Sequence, residues 1–167
     1  FPELNVRSYV PHRDRAGVYF FSLDAESALA VFAARLAVNL PYMRARMSQR
    51  RIGANVEYAS VRTHSGAPPA VFRATYAPSG DPTISLPGSF EYWSTERYSL
   101  FTVRGGAVLR LDIEHVPWPL RPATVRIERN TMAAAAGIVL PALAPRVHYC
   151  DCLDVVAHLP RSVGMAR

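Results

Sequence analysis

The sequence contains no lysine, because all 19 of its Lys+Arg residues are arginine. A Schiff base needs the lysine amine, so catalysis of that kind is excluded within this chain. Cysteine is scarce as well: Cys150 and Cys152 are the only two, and they lie too close along an extended segment for an unstrained disulfide. No run approaches the roughly 20 apolar residues that span a bilayer. These absences favour a protein of the reducing cytoplasm that has no membrane segment.

The size and composition favour a single domain covering residues 1–167. With 167 residues, 50% of them hydrophobic and 19% charged, the chain can bury a sizeable core. Its 14 prolines lie mostly between candidate strands, and no repeat or linker divides it. The chain begins at Phe1 rather than at methionine and shows no secretory leader. We therefore expect a cytoplasmic domain that is incomplete at its N-terminus.

The formal net charge of +6 raises the question of an anionic partner. Nucleic acid is one candidate, but only Arg44, Arg46, Arg50 and Arg51 cluster, while the other arginines are dispersed. A high arginine content also follows from a genome that favours arginine codons. Nucleic acid is therefore not the expected partner, and a small anionic molecule suits this charge distribution better.

Alternating apolar and polar residues predict several strands. Glycine-containing turns between some of them predict hairpins, the first around Ser65–Gly66 and the second across Gly105–Gly106. The predicted strands are Glu3–Val10, Val18–Leu23, Tyr42–Ser48, Asn55–Arg62, Ala70–Ala77, Tyr98–Val103, Ala107–Val116, Ala123–Glu128 and Arg146–Leu159.

About three helices accompany these strands. Asp24 is a candidate N-cap for the first, whose apolar face is Leu29, Phe32, Ala33 and Leu36. Ser89 caps a short second helix with Phe90 and Trp93 inward, and Asn130 caps a third over Thr131–Val139. Helices this few do not form a doubly wound sheet. The pattern therefore predicts a strand-dominated α+β fold.

Three predicted strands carry charge on one face. The residues are Glu3, Asn5 and Arg7; Tyr42, Arg44 and Arg46; and Arg110, Asp112 and Glu114. Such a face points either into solvent or into the interior of a barrel. Both interpretations remain open for most strands, but the first set is the stronger candidate for a functional face.

Other catalytic patterns are weak. His148, Cys150, Cys152 and Asp154 have zinc-ligand side chains, but along one strand they would extend about 20 Å, too far for one ion. The sequence shows no nucleophile elbow and no glycine-rich phosphate loop. We expect no metal and no cofactor.

Seven segments together resemble the YqjF-like family of uncharacterised bacterial proteins. They are FPELNVRSYV at 1–10, GVYFFSLD at 17–24, LPY at 40–42, GSFE at 88–91, TERY at 95–98, HVPWPL at 115–120 and ERNTM at 128–132. This family is similar, more distantly, to acetoacetate decarboxylase. The resemblance implies an acetoacetate decarboxylase-like antiparallel β-barrel with about three flanking helices.

The resemblance also implies a site. Glu3 matches a catalytic glutamate of the decarboxylase, and Tyr42 follows Pro41 where that enzyme has its Schiff-base lysine. A phenol forms no imine, but it can donate a hydrogen bond to a carbonyl while Glu3 moves a proton. Arg7 or Arg44 could hold a carboxylate in bidentate fashion. Glu3 and Tyr42 are thus the candidate catalytic residues.

A second set of candidates binds substrate in this interpretation. It comprises Asn5, Arg7, Arg44, Glu96, Arg97, His115 and Trp118. Each later motif has an ordinary alternative: a surface ion pair for Glu96 with Arg97, a core position for His115 and a packed corner for Trp118.

Two functions follow from this sequence. The first is a barrel that binds a carboxylate- or carbonyl-bearing molecule, with lysine-independent acid/base catalysis of the lyase or hydratase kind on an oxo acid. The second is a non-catalytic ligand-binding or regulatory module on the same fold. The leading strand-and-helix region of the decarboxylase has no counterpart in this sequence, so either the barrel of this chain is incomplete or a second copy closes its exposed edge.

Overall fold

The computed structural model describes residues 1–12 and 15–165, without the side chains of Ala30, Ala33, Ala34 and Ala37. The strands are β1 (Glu3–His12), β2 (Arg15–Ala25), β3 (Tyr42–Ile52), β4 (Asn55–Arg62), β5 (Val71–Pro78), β6 (Thr83–Ile84), β7 (Ser99–Arg104), β8 (Ala107–Glu114), β9 (Pro119–Asn130), β10 (His148–Tyr149), β11 (Val156–Ala157) and β12 (Arg161–Met165). The helices are α1 (Ala28–Val38), α2 (Phe90–Thr95) and α3 (Met132–Ala135). The predicted strand-dominated fold is confirmed.

The strands form one continuous but open sheet. Its order is β10-β9-β5-β4-β3-β2-β7-β8-β11, with β1 on β2, β6 on β9 and β12 on β8. Within the described residues β10 and β11 do not pair, so a closed barrel is not confirmed. Residues 150–155 connect these two ends, and such a segment reaches about 25 Å at most. The sheet must therefore curve until its ends approach each other.

β2 is the strand that joins the two halves of the sheet. It pairs with β1 along its whole length in the antiparallel sense. Near its end it pairs in parallel with β3, where Leu23 lies opposite Tyr42, and near its start with β7, where Val18 lies opposite Leu100. The prediction of a purely antiparallel sheet is therefore wrong. Helix α1 connects β2 to β3, and a parallel neighbour needs such a crossover.

Both predicted hairpins are present, as β4–β5 and β7–β8. Gly105 and Gly106 have φ of 55° and 79°, a pair of left-handed residues that closes a two-residue turn. The alternation in β3 is also confirmed, since Ala45 and Met47 are buried while Arg44 and Arg46 are exposed.

Helix α1 presents a different side to the sheet from the one its apolar pattern predicts. Val31 is buried and Val38, seven residues on, packs against the core. Leu29, Phe32 and Leu36 are 77%, 63% and 60% exposed, and the predicted contribution of Ala33 lies outside the described side chains. Two apolar stripes compete on this helix, and the one that carries Val31 meets the sheet.

Asp24 does not cap α1, because it belongs to β2 and is completely buried. The helix starts four residues later, at Ala28. The carboxylate is held instead by an arginine from another strand, described with the site below.

Helix α2 is capped as predicted, since the Ser89 hydroxyl accepts from the Tyr92 N–H at 3.1 Å. Its orientation differs, however. Phe90 and Trp93 are 46% and 48% exposed, and the buried residue of the helix is Ser94. The helix has six residues, which make less than two turns. Because its two large aromatic side chains stay about half exposed, it lies at the surface rather than in the core.

The predicted third helix is reduced to the single turn of α3. Asn130 does accept from the Met132 N–H at 3.1 Å, so its capping contact is present. Gly137, with φ of 74°, stops the helix, since residues beyond it cannot continue the right-handed turn. The expectation of about three helices is therefore corrected, among the described residues, to two helices and one helical turn.

The predicted long strand Arg146–Leu159 is wrong. The segment forms only β10, which pairs with β9, and β11, which pairs with β8. Since these partners lie at opposite ends of the sheet, one straight strand cannot reach both.

A cluster of buried side chains lies where β2, β7 and β8 meet. Val18, Leu100 and Leu111 form it, and Tyr9 and Phe20 pack against it from β1 and β2. The cluster therefore anchors β1, the strand that carries Glu3 and Arg7. None of the described helices is long and apolar enough to cross a membrane.

Candidate functional site

Two neighbouring cavities lie along β1, between this strand and the segment 146–150. The first, here called the phenolic cavity, has a volume of about 410 Å³ and is lined by Glu3, Leu4 and three tyrosines, Tyr58, Tyr76 and Tyr149. The second, the arginine cavity, has a volume of about 460 Å³ and is lined by residues that include Arg7, Tyr9 and Arg146. His148 and Cys150 line both, so the cavities adjoin. Together they are called the β1 groove.

Glu3 and Tyr42 meet at one end of this groove. The strand register makes Glu3 a partner of Ala25 and Tyr42 a partner of Leu23, which places both side chains on the same face of the sheet. The Tyr42 hydroxyl donates to Glu3 Oε2 at 2.7 Å. From the neighbouring β4, the Tyr58 hydroxyl donates to the Glu3 carbonyl oxygen at 2.8 Å. Glu3 is thus fixed through both its side chain and its backbone.

The electrostatics of this pair keep the proton on the phenol. Desolvation raises the pKa of the Glu3 carboxyl, and the hydrogen bond from Tyr42 offsets part of that rise. Desolvation and the adjacent Glu3 raise the pKa of Tyr42 far above its usual range. Near neutral pH Tyr42 is therefore a hydrogen-bond donor, and Glu3 is the member of the pair that can exchange a proton.

Three phenols other than Tyr42, those of Tyr58, Tyr76 and Tyr149, line the cavity itself. Burial raises the pKa of Tyr58 to about 12, and burial also raises the pKa of Tyr76. The rings of Tyr76 and Tyr149 lie 6.2 Å apart, and Arg51 donates to the Tyr149 hydroxyl at 3.2 Å. The remaining lining is largely apolar, with Leu4, Phe72, Ala74, Ala123, Val125 and Val147. This cavity therefore combines an apolar wall with neutral hydroxyl groups.

The arginine cavity carries positive charge. Arg146 and His148 lie 3.6 Å and 3.5 Å from Glu91, the one carboxylate near them in the described structure. Arg7 forms no ion pair among the described residues, and its guanidinium lies 5.7 Å from the ring centre of Tyr9. The Arg7 guanidinium lies in the same cavity as an arginine and a histidine that share one carboxylate. This arrangement favours the binding of an anion.

Three of the candidates from the later motifs, Glu96, His115 and Trp118, form one cluster beside the arginine cavity. Glu96 accepts hydrogen bonds from the Tyr98 hydroxyl and, at 3.2 Å, from the Trp118 N–H of the backbone. His115 stacks on Tyr98 at 4.5 Å and lies edge-on to Trp118 at 5.7 Å. Trp118 itself lines the cavity. The cluster fixes Trp118, a part of the wall.

Arg97 reaches the same wall from the other side. Its guanidinium lies 4.9 Å from the ring centre of Trp93 and 5.6 Å from that of Tyr9. In the residues that the structure describes, it makes no ion pair with Glu96, so the surface-pair interpretation does not apply. Cation–π contact of this kind orders the aromatic wall.

Arg44 and Asn5 do not join these residues. Both are exposed, and neither lines the β1 groove. The backbone N–H of Arg44 donates to His64 at 3.2 Å, and His64 does not line the groove. Of the two arginines considered as carboxylate ligands, the geometry therefore favours Arg7.

A buried ion pair between β2 and β4 was not predicted. Asp24 and Arg62 are 0% and 8% exposed, and the guanidinium donates to both carboxylate oxygens, the shortest bond being 2.7 Å. Arg62 also donates to the Pro68 carbonyl at 3.2 Å. It shares its face of β4 with Tyr58, four residues earlier. The alternation of β4, which puts Arg62 on the side of buried Val56 and Ser60, is the sequence signal for it.

The zinc-ligand types of the last segment are not gathered. No group of three potential metal ligands occurs among the described residues, and both cysteines are free. The Cys150 thiol donates to the Cys152 carbonyl oxygen at 3.3 Å, and burial raises the pKa of that thiol. Cys150 thus takes part in the wall as an uncharged side chain.

This chain is similar to a curated relative and to solved structures. The uncharacterized protein YqjF of Bacillus subtilis is 42% identical over 156 residues, which are 93% of this chain and 64% of YqjF. The acetoacetate decarboxylase of Legionella pneumophila has a similar structure with a TM-score of 0.62 at 11% identity, covering 98% of this chain and 66% of the decarboxylase. The chain thus spans a little under two thirds of the length of each.

These similarities settle the fold and the family separately. At 11% identity the decarboxylase shows the fold alone, so the acetoacetate decarboxylase-like architecture is confirmed without its chemistry. The family model named DUF2071 and described as an uncharacterized conserved protein matches residues 1–154. The chain therefore belongs to the DUF2071 family of uncharacterized conserved proteins, to which its similarity to YqjF also points.

Proposed function

We propose that the chain binds a small carboxylate- or carbonyl-bearing molecule in the β1 groove and transfers a proton to or from it through Glu3. The observation that carries this proposal is the 2.7 Å hydrogen bond between the Tyr42 hydroxyl and Glu3 Oε2 at the edge of a cavity. A carboxyl group whose pKa is raised by desolvation is a better general acid or base near neutral pH than an ordinary one.

The roles follow from the positions. Glu3 lines the phenolic cavity and exchanges the proton, while Tyr42 orients the carboxylate and stabilises its ionised form. Arg7 lines the adjoining cavity and holds the carboxylate of the ligand. Trp118 supports the wall together with Glu96, Arg97 and His115. The reaction is lyase- or hydratase-like acid/base chemistry on an oxo acid. It proceeds without a Schiff base, since the chain has no lysine that could form one.

A non-catalytic binding or regulatory module on the same fold is the second candidate. One observation favours it: Tyr42 does not itself line the cavity and reaches it only through Glu3. In that case the pair holds β1 against β3, and ligands bind without being converted. The difference between the candidates is turnover, not binding.

Binding and turnover can be tested in sequence. A thermal-shift panel of oxo acids, dicarboxylates and lipid-like acids identifies stabilising ligands, and each of them is then assayed for conversion. Glu3→Gln should bind the ligand and lose turnover, whereas Glu57→Gln, an exposed glutamate on β4, should match the wild type. Binding without conversion by the wild type supports the module, and no stabilisation by any acid contradicts both candidates.

The same proposal includes the completion of the wall. Within the described residues β1 pairs only with β2, so its other edge is open toward the groove. Pairing of this edge by a second copy of the chain would bring the curved sheet closer to a barrel. A monomer in light scattering at high protein concentration contradicts this part.

We propose that the chain binds its ligand in the cytoplasm.

A further inference from the structure

We infer that the ligand of the β1 groove is an amphipathic acid, with an aliphatic or aromatic body in the phenolic cavity and its carboxylate in the arginine cavity. This inference rests on the proposed function and specifies the substrate class of the same site. It differs from that proposal in requiring a long ligand, because the two ends of the groove differ in chemistry and lie apart.

The separation of the two ends comes from the strand. Glu3 and Arg7 both belong to β1 and are four positions apart, which corresponds to about 13 Å along an extended strand. A short oxo acid, whose carbonyl and carboxylate are separated by one carbon, spans only a small part of that distance. It contacts both side chains at once only if they turn toward each other along the strand. A ligand with a longer connection between its carbonyl and its carboxylate contacts both without such a turn.

The surface around Glu3 determines what that body is. Leu4, Phe72 and Val125 belong to the largely apolar lining of the phenolic cavity. The Tyr58 hydroxyl donates its proton to the Glu3 carbonyl, and the Tyr149 hydroxyl accepts from Arg51. Few polar groups are thus free to bind a sugar or a peptide, and a hydrocarbon or aromatic ring gains the most from burial here.

The arginine cavity determines the other end. Arg7, Arg146 and His148 line this cavity, and Arg146 and His148 share the carboxylate of Glu91, so two guanidinium groups accompany one carboxylate and the local charge is positive. A guanidinium binds a carboxylate through two parallel hydrogen bonds. Since His148 and Cys150 line both cavities, one molecule can extend from one to the other.

The test is a series of straight-chain carboxylates, from butanoate to dodecanoate, titrated by calorimetry below their micellar concentrations. Each methylene buried in the phenolic cavity should strengthen binding about fourfold, until the cavity is filled, with one molecule per chain. The alcohols of the same lengths are the matched ligands, and they should bind much more weakly because they lack the charge for Arg7.

Substitutions at Arg7 and Phe72 test the binding of the two ends of the ligand separately. Arg7→Gln should weaken every acid by a similar factor and leave the increment per methylene unchanged. Phe72→Ala should reduce the increment, and Phe72→Leu should largely restore it if the larger change disturbs folding. Arg104→Gln, which removes an exposed arginine on β7, should bind like the wild type.

The outcomes distinguish this inference from the proposed function. Binding that does not depend on chain length, or that Arg7→Gln does not change, overturns the amphipathic ligand. If short oxo acids are nevertheless bound and converted in a Glu3-dependent reaction, the proposed function stands without it. If no acid of any length binds, both are overturned.

Discussion

Tyr42 determines what chemistry this chain can perform at the scale of single residues. It is the first residue of β3, directly after Pro41, at the position where similarity to the decarboxylase implies a lysine. A phenol whose pKa is raised by burial and by Glu3 keeps its proton near neutral pH. It therefore stabilises the Glu3 carboxylate by donation, and in the proposed site the titrating group of the pair is Glu3.

The raised pKa of Glu3 makes a prediction about stability and pH. A carboxyl whose pKa is higher in the folded than in the unfolded chain binds protons more tightly when folded, so its contribution to stability is present at low pH and is lost as the pH rises. Glu3→Gln has no such loss. The stability of this variant relative to the wild type should therefore increase as the pH rises through and above 4.5, the ordinary value for glutamate.

This prediction is measured by urea unfolding of both proteins at a series of pH values. Glu57→Gln serves as the control, since Glu57 is exposed and its ion pair with Arg50, at 3.7 Å, is open to solvent. A constant difference between Glu3→Gln and wild type across the acid range would show that Glu3 is not desolvated in the folded chain.

The buried pair of Asp24 and Arg62 makes a second prediction at this scale. Removing one partner leaves an uncompensated buried charge, so Arg62→Met should lower the free energy of unfolding by about 3–5 kcal/mol. Asp24→Leu combined with Arg62→Met removes both charges and should recover much of that loss. The measurement is denaturant unfolding of the two variants and the wild type. A double variant as unstable as Arg62→Met would contradict the assignment of the cost to the unpaired charge.

At the scale of elements, the close approach of β2 and β7 is the most constrained contact. A Cβ on Gly17 would lie 2.4 Å from the Ser99 carbonyl oxygen and 2.7 Å from the Phe101 ring. Both neighbours are in β7, and one of them is backbone, so the strands would have to separate. Glycine is therefore required at this position by packing rather than by its φ angle.

We expect Gly17→Ala to lower the free energy of unfolding by about 1–3 kcal/mol, since overpacking forces the two strands apart. Ala16→Ser, a change at the exposed neighbouring position, is the control and should have little effect. Urea unfolding measures both, and hydrogen exchange should show reduced protection in β2 and β7. Full stability of Gly17→Ala would mean that β7 lies farther from β2.

The sequence predicts local elements well and long-range partners poorly. The alternation in β1 and β3 and the Gly105–Gly106 turn depend on neighbouring residues, and the predicted elements are present. The segment 146–159 also alternates, but its partners β9 and β8 lie at opposite ends of the sheet, which alternation cannot indicate. In the same way, the two apolar stripes of α1 do not reveal which one the sheet covers.

The contacts of the candidate site also differ in whether the sequence could predict them. The contact of Glu3 with Tyr42 follows from the family resemblance, because matched positions bring β1 and β3 together. Tyr76 and Tyr149 were not predicted, since they meet only through the pairing of β5 with β9 and of β9 with β10. His148 was considered only as a zinc ligand, whereas its neighbour in the fold is Glu91.

At the scale of the whole molecule, the segment 150–155 ties the two ends of the open sheet together. If it acts only as a tether, its length matters little, because doubling a flexible loop costs about 0.6 kcal/mol. We therefore expect the insertion of six Gly/Ser residues after Cys152 to lower the free energy of unfolding by about that amount.

This insertion is tested by urea unfolding beside an equal insertion in the turn after Gly66, a loop within one hairpin. A loss well above that of the hairpin insertion would show that the segment is a packed part of the wall. Ligand binding in the β1 groove should persist if the segment is only a tether. It should weaken if the segment is a packed part of the wall, because Cys150 lines both cavities.

The position of β2 between two halves of the sheet also sets an order of assembly. β3, β4 and β5 are consecutive and antiparallel, and β7 and β8 form a hairpin, so each half can form from contacts close in sequence. The pairing of Val18 with Leu100 joins distant parts of the chain, and such contacts must overcome a large loop-closure entropy. The β1 groove, whose wall combines β1 with β5, β9 and β10, should therefore be a late product of folding.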